Sequence, residues 1–308
     1  MQLKMLIEDL RPEEKEIARR ADSMGIPLPT ERVDRLCWPA ADAAAEPSTF
    51  LIRVPGFYSR VQSSALLECA GHTVYNAPWQ LTTFGQKSLS SIWFARHRLP
   101  AIPTYVCFRV DTAVAAAQSL GYPVVLKPSI GGFGKLVHWI ETERELIQAY
   151  EYLEAYAPKT LSTSIVQKAL EVKTDLRVVI LEGRALAVME RALPGAKVRN
   201  ISRGATGRGH DLTRQESDVI SRLTRVIGPG FFGVDILTDQ TGQAYLCEVN
   251  AVCGFAEAAR VSGVDIAGEL LHTLTQHSKA RRGEVDSVTT IHGCGASKAG
   301  SPGVPWPD

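Results

Sequence analysis

The sequence has almost no excess of charge of either sign and no long apolar run. Its 308 residues include 34 Lys and Arg against 33 Asp and Glu, a formal net charge of +1. A near-neutral chain gives no global electrostatic reason for a nucleic-acid partner or an anionic membrane, so charge-dependent chemistry must be local. No apolar stretch reaches the roughly 18 residues of a membrane-spanning helix, and acidic residues lie where a signal peptide would be apolar. The sequence therefore predicts a cytoplasmic protein.

Cysteine is scarce, and the cysteines are scattered along the chain. The six cysteines include no Cys-x-x-Cys pair. In a chain of this length, that spacing argues against a zinc site or a disulfide scaffold. We interpret them as reduced thiols.

Short apolar strands alternate with helical patterns over residues 1–85, which is typical of an α/β layer with parallel strands. A boundary is predicted near residue 85, because a new pattern of helices and strands begins there. That second unit extends to residue 163. Residues 279–308 are rich in Gly, Ser, Pro and charge, and a disordered tail is predicted for them.

Longer strands predominate from residue 164 to residue 278, which predicts a third unit made mainly of sheet. The main helix predicted between these strands begins at Thr213, because Thr213 and Glu216 have the spacing of a capping box. A turn at residues 239–242 is expected to join two of the strands into an antiparallel pair.

A lysine followed by a glycine-rich turn is the first chemical signal. Lys127 ends a predicted strand, and Gly131, Gly132 and Gly134 follow it. Glycines let backbone amides approach an anion, and a lysine at a strand end offers a point charge to phosphate oxygens. The segment is neither a Walker A loop nor a dinucleotide fingerprint. Taken alone, a tight hairpin that needs glycine for its geometry is the simpler interpretation.

Three oxygen-bearing side chains form the second signal. Asp235 lies in one predicted strand, and Glu248 and Asn250 lie in the next. Alternation puts Glu248 and Asn250 on one face, with Asp235 opposite on the neighbouring strand. Such hard oxygens suit magnesium with substrate phosphates. The alternative is that they are polar residues at strand ends, but unpaired carboxylates in apolar strands are costly.

A basic loop from Arg191 to Arg203 is the third signal. Loops of this kind are usually only solvated. Arginines opposite a metal-bound phosphate would instead neutralise the charge that develops during phosphoryl transfer. The residues alone leave both interpretations open.

In this order along the chain, these segments resemble the ATP-grasp superfamily, in particular its branch with RimK, LysX and the tetrahydromethanopterin glutamate ligase. The resemblance covers roughly residues 1–275 and is carried by five segments: 121–128, 131–134, 175–178, 200–204 and 248–251. The stretch from Glu248 to Phe255 looks most like RimK and the tetrahydromethanopterin ligase. Residues 8–14, and Asn76 with residues 85–87, look more like LysX, so the subfamily stays open.

The resemblance implies an α/β ATP-grasp fold: a parallel N-terminal domain (1–85), a central lid (86–163) and a mainly antiparallel C-terminal domain with the metal site (164–278). It implies that two lysines hold the α and β phosphates, a turn covers the triphosphate, a backbone segment meets adenine and an aspartate lies near the ribose. The phosphate lysines would be Lys87 and Lys127, and the covering turn would contain Ser129, Gly131, Gly132, Phe133 and Gly134. The adenine segment would be Gln167, Lys168, Ala169 and Leu170, and the aspartate near the ribose would be Asp175. One or two Mg²⁺ ions, which Mn²⁺ can replace, would be held by Asp235, Glu248 and Asn250. Arg191, Asn200 and Arg203 would face the transferred phosphate.

The activity implied is that of an ATP-dependent, ADP-forming ligase that makes an acyl phosphate and joins an amino acid, glutamate or a related acidic one, to a carboxylate acceptor through an amide bond. The acceptor would be a small molecule, a peptide or a carrier protein. Homodimers or homotetramers are usual in these families. The alternatives are a LysX-like ligase acting on an acidic amino-group carrier protein, a non-catalytic ATP-binding regulator, and ATP-grasp chemistry with a thiol or phosphate acceptor.

Two positions depart from the family pattern. The adenine segment usually begins Gln-Glu, whereas this chain has Gln167-Lys168, and a common Asp-Lys is Gln86-Lys87 here. The metal-binding residues and Arg203 are retained, which favours an active enzyme.

Overall fold

A computed structural model describes residues 2–37, 46–131, 136–156, 163–191 and 207–291, with side chains as far as residue 278. In these ranges, the strands form a parallel sheet and two antiparallel sheets. The α/β fold class predicted from the sequence is confirmed. No helix in the part of the chain that is described has the length and apolar character needed to cross a membrane.

The N-terminal unit is a parallel α/β layer. Its elements are β1 (Gln2–Ile7), α1 (Pro12–Ser23), β2 (Thr30–Arg32), β3 (Ser48–Arg53), α2 (Phe57–Cys69), β4 (Thr73–Tyr75) and α3 (Pro78–Thr83), with a short 3₁₀ turn at Val33–Arg35. The strands run parallel in the order β2-β1-β3-β4. Met5 and Ile7 pack with Ile17 of α1, whereas Leu6 points to the opposite face and packs with Phe50. Both faces of this sheet are therefore buried, as is typical of parallel sheets.

The central unit is a sheet covered by two helices. Its elements are α4 (Lys87–Arg96), β5 (Thr104–Cys107), α5 (Val110–Leu120), β6 (Val124–Pro128), β7 (His138–Ile140), α6 (Glu143–Tyr156) and β8 (Ser164–Lys168). The strands are antiparallel in the order β5-β8-β6-β7. Ala113, Leu126, Leu146 and Val166 belong to a core that this unit does not share with the others.

The position of β8 corrects one predicted boundary. The sequence placed this strand in the C-terminal unit, beginning at residue 164, but it pairs with β5 and β6 of the central sheet. The chain therefore leaves the central sheet after Lys168. The local pattern of an apolar strand suits either sheet and does not specify its partners.

The C-terminal unit is an antiparallel sheet with helices at its sides. Its elements are β9 (Val172–Leu181), β10 (Arg184–Arg191), β11 (Gly207–Gly209), α7 (Arg214–Ile227), β12 (Phe231–Asp239), β13 (Ala244–Asn250), α8 (Ala256–Ser262) and α9 (Ile266–Ile291). The strand order is β11-β10-β9-β12-β13. Because α9 continues to Ile291, it passes the predicted start of the tail at residue 279. Residues 292–308 lie outside the described ranges.

The capping box predicted for α7 is confirmed. The Glu216 amide donates to Thr213 Oγ1 at 3.3 Å, and the Thr213 amide donates to Glu216 Oε2 at 2.8 Å. These two bonds satisfy backbone donors that the first turn of a helix leaves without partners. The helix begins where the sequence predicted and leads directly into β12.

The N-terminal and C-terminal units share one apolar core, which fixes them against each other. Phe50 and Ile52 of β3 belong to the same buried cluster as Val178 of β9 and Phe232 of β12. The central sheet with α5 and α6 packs on its own cluster, whereas Phe94 of α4 belongs to the shared core. Since separate cores allow relative movement more readily than a shared one, the central unit is the part of this fold best suited to move.

Candidate active site

A cleft between the central unit and the C-terminal sheet gathers four of the predicted site residues, Lys87, Lys127, Gln167 and Glu248. One cavity is lined by Gly85, Lys87, Lys127, Gln167 and Glu248, among others. A neighbouring, more apolar cavity is lined by Phe94 of α4, by Leu99 and Ile102 of the segment before β5, and by Leu246 of β13. The two cavities share Ser91, Gln167 and Cys247. The cleft thus has a charged half and an apolar half, as a nucleotide's phosphates and base would require.

Lys87 and Lys127 reach the charged half from two different elements. Lys87 begins α4, and its Nζ donates to the Gly131 carbonyl at 2.7 Å and lies 3.8 Å from Glu248 Oε1. Lys127 projects from β6 and donates to Gln167 Oε1 at 2.9 Å. Two ammonium groups on the wall of one cavity give it the positive charge that phosphates need.

Gln167 fixes Lys127 through its side chain. Its amide oxygen accepts from Lys127, and its amide nitrogen donates to Thr104 Oγ1 at 2.8 Å. The sequence predicted that the backbone of residues 167–170 would meet adenine. The Lys168 and Ala169 amides already donate to the Pro103 and Pro123 carbonyls, at 2.9 and 3.3 Å, so those two donors are used within the fold. The adenine contact stays a prediction.

The start of the glycine-rich turn is ordered by hydrogen bonds. Ser129 is buried, and its Oγ lies 2.6 Å from the Ser88 Oγ. The Ser129 carbonyl accepts from the Lys87 amide at 2.8 Å. Gly131 has φ of 144°, a conformation open to glycine but not to most residues. Gly132, Phe133 and Gly134 lie outside the described residues, so their predicted contact with the triphosphate stays a prediction.

The predicted metal ligands share one edge of the C-terminal sheet. Asp235 of β12 is directly opposite Glu248 of β13, Gly233 is opposite Asn250, and the register shifts just after Asp235. The alternation argument therefore predicted the register correctly. Glu248 also lines the charged cavity. Whether these residues bind metal stays a prediction.

Asp235 is held by charge. Its Oδ1 lies 2.8 Å from Arg177 Nε and 3.4 Å from Arg191 Nη1. This oxygen is nevertheless buried without a hydrogen bond that has acceptable geometry. The Arg177 contact is therefore an attraction between charges that leaves directional hydrogen-bonding capacity on this oxygen unused among the described residues. A carboxylate oxygen with spare capacity fits a cation ligand.

No group of three His, Cys, Asp or Glu side chains in the described ranges has the arrangement of a metal site. The predicted set contains only two such residues, since its third member, Asn250, is an amide. The donors are hard oxygens, which suit Mg²⁺ and do not suit a soft metal.

Arg191 is paired with Asp175 inside the sheet. Its Nε donates to Asp175 Oδ1 at 3.0 Å, and its Nη2 contacts the same oxygen. Burial alone would lower the pKa of Arg191, but Asp235 and Asp175 outweigh it and raise the pKa, so the guanidinium stays charged. The predicted ribose contact of Asp175 stays a prediction, and its carboxylate is already occupied by Arg191. Asn200 and Arg203 lie outside the described residues.

Three residues near this site were given no role by sequence reasoning. Arg177, within one of the quoted segments, pairs with Asp235. Asn76 donates to the Phe231 and Ala251 carbonyls, both at 2.8 Å, and accepts from the Phe231 amide at 2.7 Å. Arg53 donates to the Cys253 carbonyl at 2.9 Å. Arg177 lies two positions after Asp175 in the same strand, and this charged residue could have been recognised from the sequence as a candidate partner for a site carboxylate. Asn76 and Arg53 act across domains, which no local pattern indicates.

A cleft between two antiparallel sheets, with lysines on one wall and carboxylates on the other, defines the class of ATP-grasp ligases. The model of the RimK-like ATP-grasp domain matches residues 85–274. The chain belongs to this family, and it is an ATP-dependent, ADP-forming carboxylate–amine ligase. The resemblance read from the sequence is confirmed, and the alternative of a non-catalytic regulator is not favoured.

Relatives of known name support this assignment. The chain is 25% identical over 273 residues to the glutamate–LysW ligase ArgX of Sulfolobus acidocaldarius, covering 88% of this chain and 97% of that protein. It is 25% identical over 218 residues to the alpha-aminoadipate–LysW ligase LysX of Saccharolobus solfataricus, covering 70% and 79%. A RimK domain ATP-grasp protein of Sphaerobacter thermophilus, 21% identical, shares the fold with a TM-score of 0.71 over 87% of this chain and 97% of that one.

Proposed function

We propose that this ligase uses ATP with Mg²⁺ to phosphorylate the carboxylate of an acceptor and joins to it the amine of glutamate or a related acidic amino acid. The observation that carries the proposal is the convergence of Lys87, Lys127 and Glu248 on one cavity, beside the charged group around Asp235. The family uses ATP and divalent metal ions generally; the ion and the amino acid are what we propose.

The first half of the reaction makes an acyl phosphate. An acceptor carboxylate oxygen attacks the γ phosphorus, the bond to the β–γ bridging oxygen breaks, and ADP leaves. Lys87 from α4 and Lys127 from β6 would hold the phosphates by charge. Arg191 of β10 reaches across β9 to within 3.4 Å of Asp235 and remains cationic, so it is suited to stabilise negative charge on the transferred group. Arg203 and Asn200 are proposed to act beside it.

Magnesium is assigned to Asp235, Glu248 and Asn250. When bound, it would neutralise phosphate charge and polarise the phosphoryl group. Arg177 and Arg191 hold the Asp235 carboxylate in place. The carboxylate oxygens would keep lone pairs available to coordinate the ion. Glu248 would be shared between the ion and the Lys87 ammonium, 3.8 Å away.

In the second half, the amine nitrogen attacks the acyl carbon and phosphate leaves with its electron pair. The amine loses one proton on forming the amide. Water competes with the amine, and the central unit is proposed to act as a lid that excludes it. Support comes from the separate core of that unit and from its contribution of Lys127 and Gln167 to the cavity wall.

Two relatives are named as ligases that act on LysW, and this observation favours a second candidate acceptor, a small acidic carrier protein. The carrier would present a carboxylate to the same cavity. Homodimeric or homotetrameric assembly stays a prediction.

The proposal is tested by ADP release with pairs of an acceptor and an amino acid, followed by mass spectrometry of the product. Acceptors should include acidic small molecules, glutamate-terminated peptides and acidic carrier proteins. We expect ADP formation only when acceptor and amine are both present, with a product heavier by one amino-acid residue. Binding of ATP with no acceptor-dependent ADP formation across the panel would contradict the proposal.

A further inference from the structure

The N-terminal sheet has a crevice where ligands bind in folds of this type. β1 and β3 are neighbours, but the chain leaves β1 towards β2 on one side and leaves β3 towards β4 on the other. The connections therefore diverge at the C-terminal ends of β1 and β3. Open parallel sheets bind ligands at such a switch point. Glu8 follows β1 here, and Gly56 follows β3 just before α2.

The N-terminus of α2 already holds a carboxylate in this crevice. The Gly56 amide donates to Glu8 Oε2 at 2.9 Å. A Cβ added at Gly56 would lie 2.9 Å from that same oxygen, so glycine permits the close approach. Because Gly56 is the N-cap and offers no side-chain oxygen, Glu8 supplies the anion that the positive end of the helix attracts.

Arg60, in the first turn of α2, lacks a full set of partners. Its side chain is buried, with 8% exposure. Nη1 donates to the Pro55 and Val54 carbonyls at 3.1 and 3.4 Å, and the guanidinium lies 5.7 Å from the Phe57 ring centroid. Nε is buried and has no hydrogen-bond partner in the described part of the chain. A buried guanidinium donor without an acceptor is costly, and a carboxylate would remove that cost.

The surroundings of Arg60 disfavour its positive charge. Burial and, to a lesser extent, the Arg11 guanidinium lower the pKa of Arg60 to about 10, with Glu8 opposing them. Arg11 is itself held by Glu14, to which its Nε donates at 3.0 Å. Glu14 also accepts from Arg53. Glu8 is therefore the carboxylate that acts on Arg60, and a second anion would be attracted there.

A single glycine separates Arg60 from the reaction cavity. A Cβ added at Gly85 would lie 2.5 Å from Arg60 Nη2 and 2.6 Å from Phe57 Cδ2, so the guanidinium packs directly on the Gly85 backbone. Gly85 also lines the cavity that contains Lys87 and Glu248. A substrate extending from the cavity past Gly85 toward the N-terminal sheet would approach Arg60.

We propose that Arg60 and the N-terminus of α2 form a subsite for the second, non-reacting carboxylate of an acidic substrate, and that Glu8 occupies this subsite until the substrate displaces it. The inference rests on the proposed function and names the substrate feature that the N-terminal domain selects. A substrate with an uncharged group in this position would displace the Glu8 carboxylate and leave Arg60 without a negative partner. The subsite therefore favours substrates with a second carboxylate.

The test measures binding by calorimetry to the full chain with Mg²⁺ and a non-hydrolysable ATP analogue. The probes are L-glutamate against L-glutamine, and a short peptide ending in glutamate against one ending in glutamine. We expect at least one acidic probe to bind about 10-fold or more tightly than its amide. Arg60→Gln should abolish that preference, and Arg60→Lys should restore part of it. Dependence on Arg60 for one probe pair identifies the substrate that supplies the carboxylate.

Glu8→Gln is the more decisive variant, because the proposal predicts that it strengthens binding of the acidic probe, whereas Arg60→Gln should weaken it. Removing the internal competitor should tighten binding of the acidic probe by about threefold or more, since less of the subsite is blocked. A purely structural Glu8 would weaken binding or leave it unchanged when mutated. Arg19→Gln, on the exposed surface of α1, is the matched control and should behave like the unmodified chain.

Several outcomes would overturn the subsite. One is equal binding of acid and amide probes to the unmodified chain, and another is a preference that survives in folded Arg60→Gln. Loss of acidic-probe affinity in Glu8→Gln is the third. Circular dichroism establishes folding, and if Arg60→Gln does not fold, Glu8→Gln still decides. Failure of the proposed function is distinct, because it would show as no ADP release with any acceptor and amine.

Discussion

At the residue scale, replacing Asp235 should affect catalysis most, because two arginines hold this proposed metal ligand opposite Glu248. Asp235→Asn keeps the size of the side chain and removes its charge. We expect Mg²⁺-dependent ADP release to fall by about 100-fold or more, with half-activation moved to higher Mg²⁺ concentration. The measurement is ADP release across a Mg²⁺ titration.

The control for this experiment is Asp218→Asn, at an exposed position on α7. It should keep nearly the full rate, since surface substitutions of this kind change little. A normal rate and a normal Mg²⁺ requirement in Asp235→Asn would remove Asp235 from the metal ligands.

Cys247 offers a pH-dependent probe of the cleft, because it lines both cavities. Desolvation raises the pKa of its thiol to about 11, with Lys127 opposing. The thiolate is the form that reacts with iodoacetamide. Alkylation of Cys247 should therefore be slow at pH 7, rise steadily as the pH approaches 11, and slow again when ATP fills the cleft.

Peptide mass spectrometry would follow this reaction, with the exposed Cys69 as internal reference. Cys69 should be modified first, and ATP should not protect it. Rapid labelling of Cys247 at neutral pH, or equal labelling with and without ATP, would show that the thiol is not enclosed in the nucleotide cleft.

At the element scale, the cap of α7 matters because this helix leads into β12, which carries Asp235. Thr213→Ala removes the acceptor for the Glu216 amide and should lower the free energy of unfolding by about 1 kcal/mol. Glu216 is buried and also accepts from Thr238 at 2.8 Å, so its loss would cost more. Urea denaturation measures both effects.

Thr213→Ser keeps the hydroxyl and is the matched control for the cap. It should retain most of the stability that Thr213→Ala loses. Equal losses in the two variants would mean that the methyl group of Thr213, and not its hydrogen bond, stabilises the start of the helix.

At the scale of the whole molecule, nucleotide binding should stabilise the fold by joining the central unit to the other two. ATP with Mg²⁺ at a hundred times its Kd should add about 2.7 kcal/mol to the free energy of unfolding. A thermal melt should show this as a rise of about 4 °C, because the entropy of unfolding is about 0.65 kcal/mol/K for a chain of this size. ATP with EDTA is the control and should give a smaller rise, as should Asp235→Asn with Mg²⁺. Equal rises with and without Mg²⁺ would contradict the metal assignment.

Sequence reasoning succeeded where the spacing of residues close together in the chain determines the structure. The alternation of β12 and β13 placed Asp235 opposite Glu248, and the spacing of Thr213 and Glu216 predicted the start of α7. It failed for β8, because the partner of a strand is chosen by tertiary packing. It gave no role to Asn76, whose hydrogen bonds run to residues more than 150 positions away.

The route of the chain between the sheets has a consequence for inhibitor design. The chain enters the central sheet through the segment before β5, where Ala101 forms a bridge to Leu246, and leaves it after Lys168. Leu99, Ala101 and Pro103 of the entry segment line the apolar cavity together with Gln167, next to the exit. A flat heterocycle bound in the apolar cavity would contact both the segment that enters the central sheet and the strand end where the chain leaves it. We expect it to hinder the proposed movement of the central unit and so to slow turnover without contacting Lys87 or Lys127.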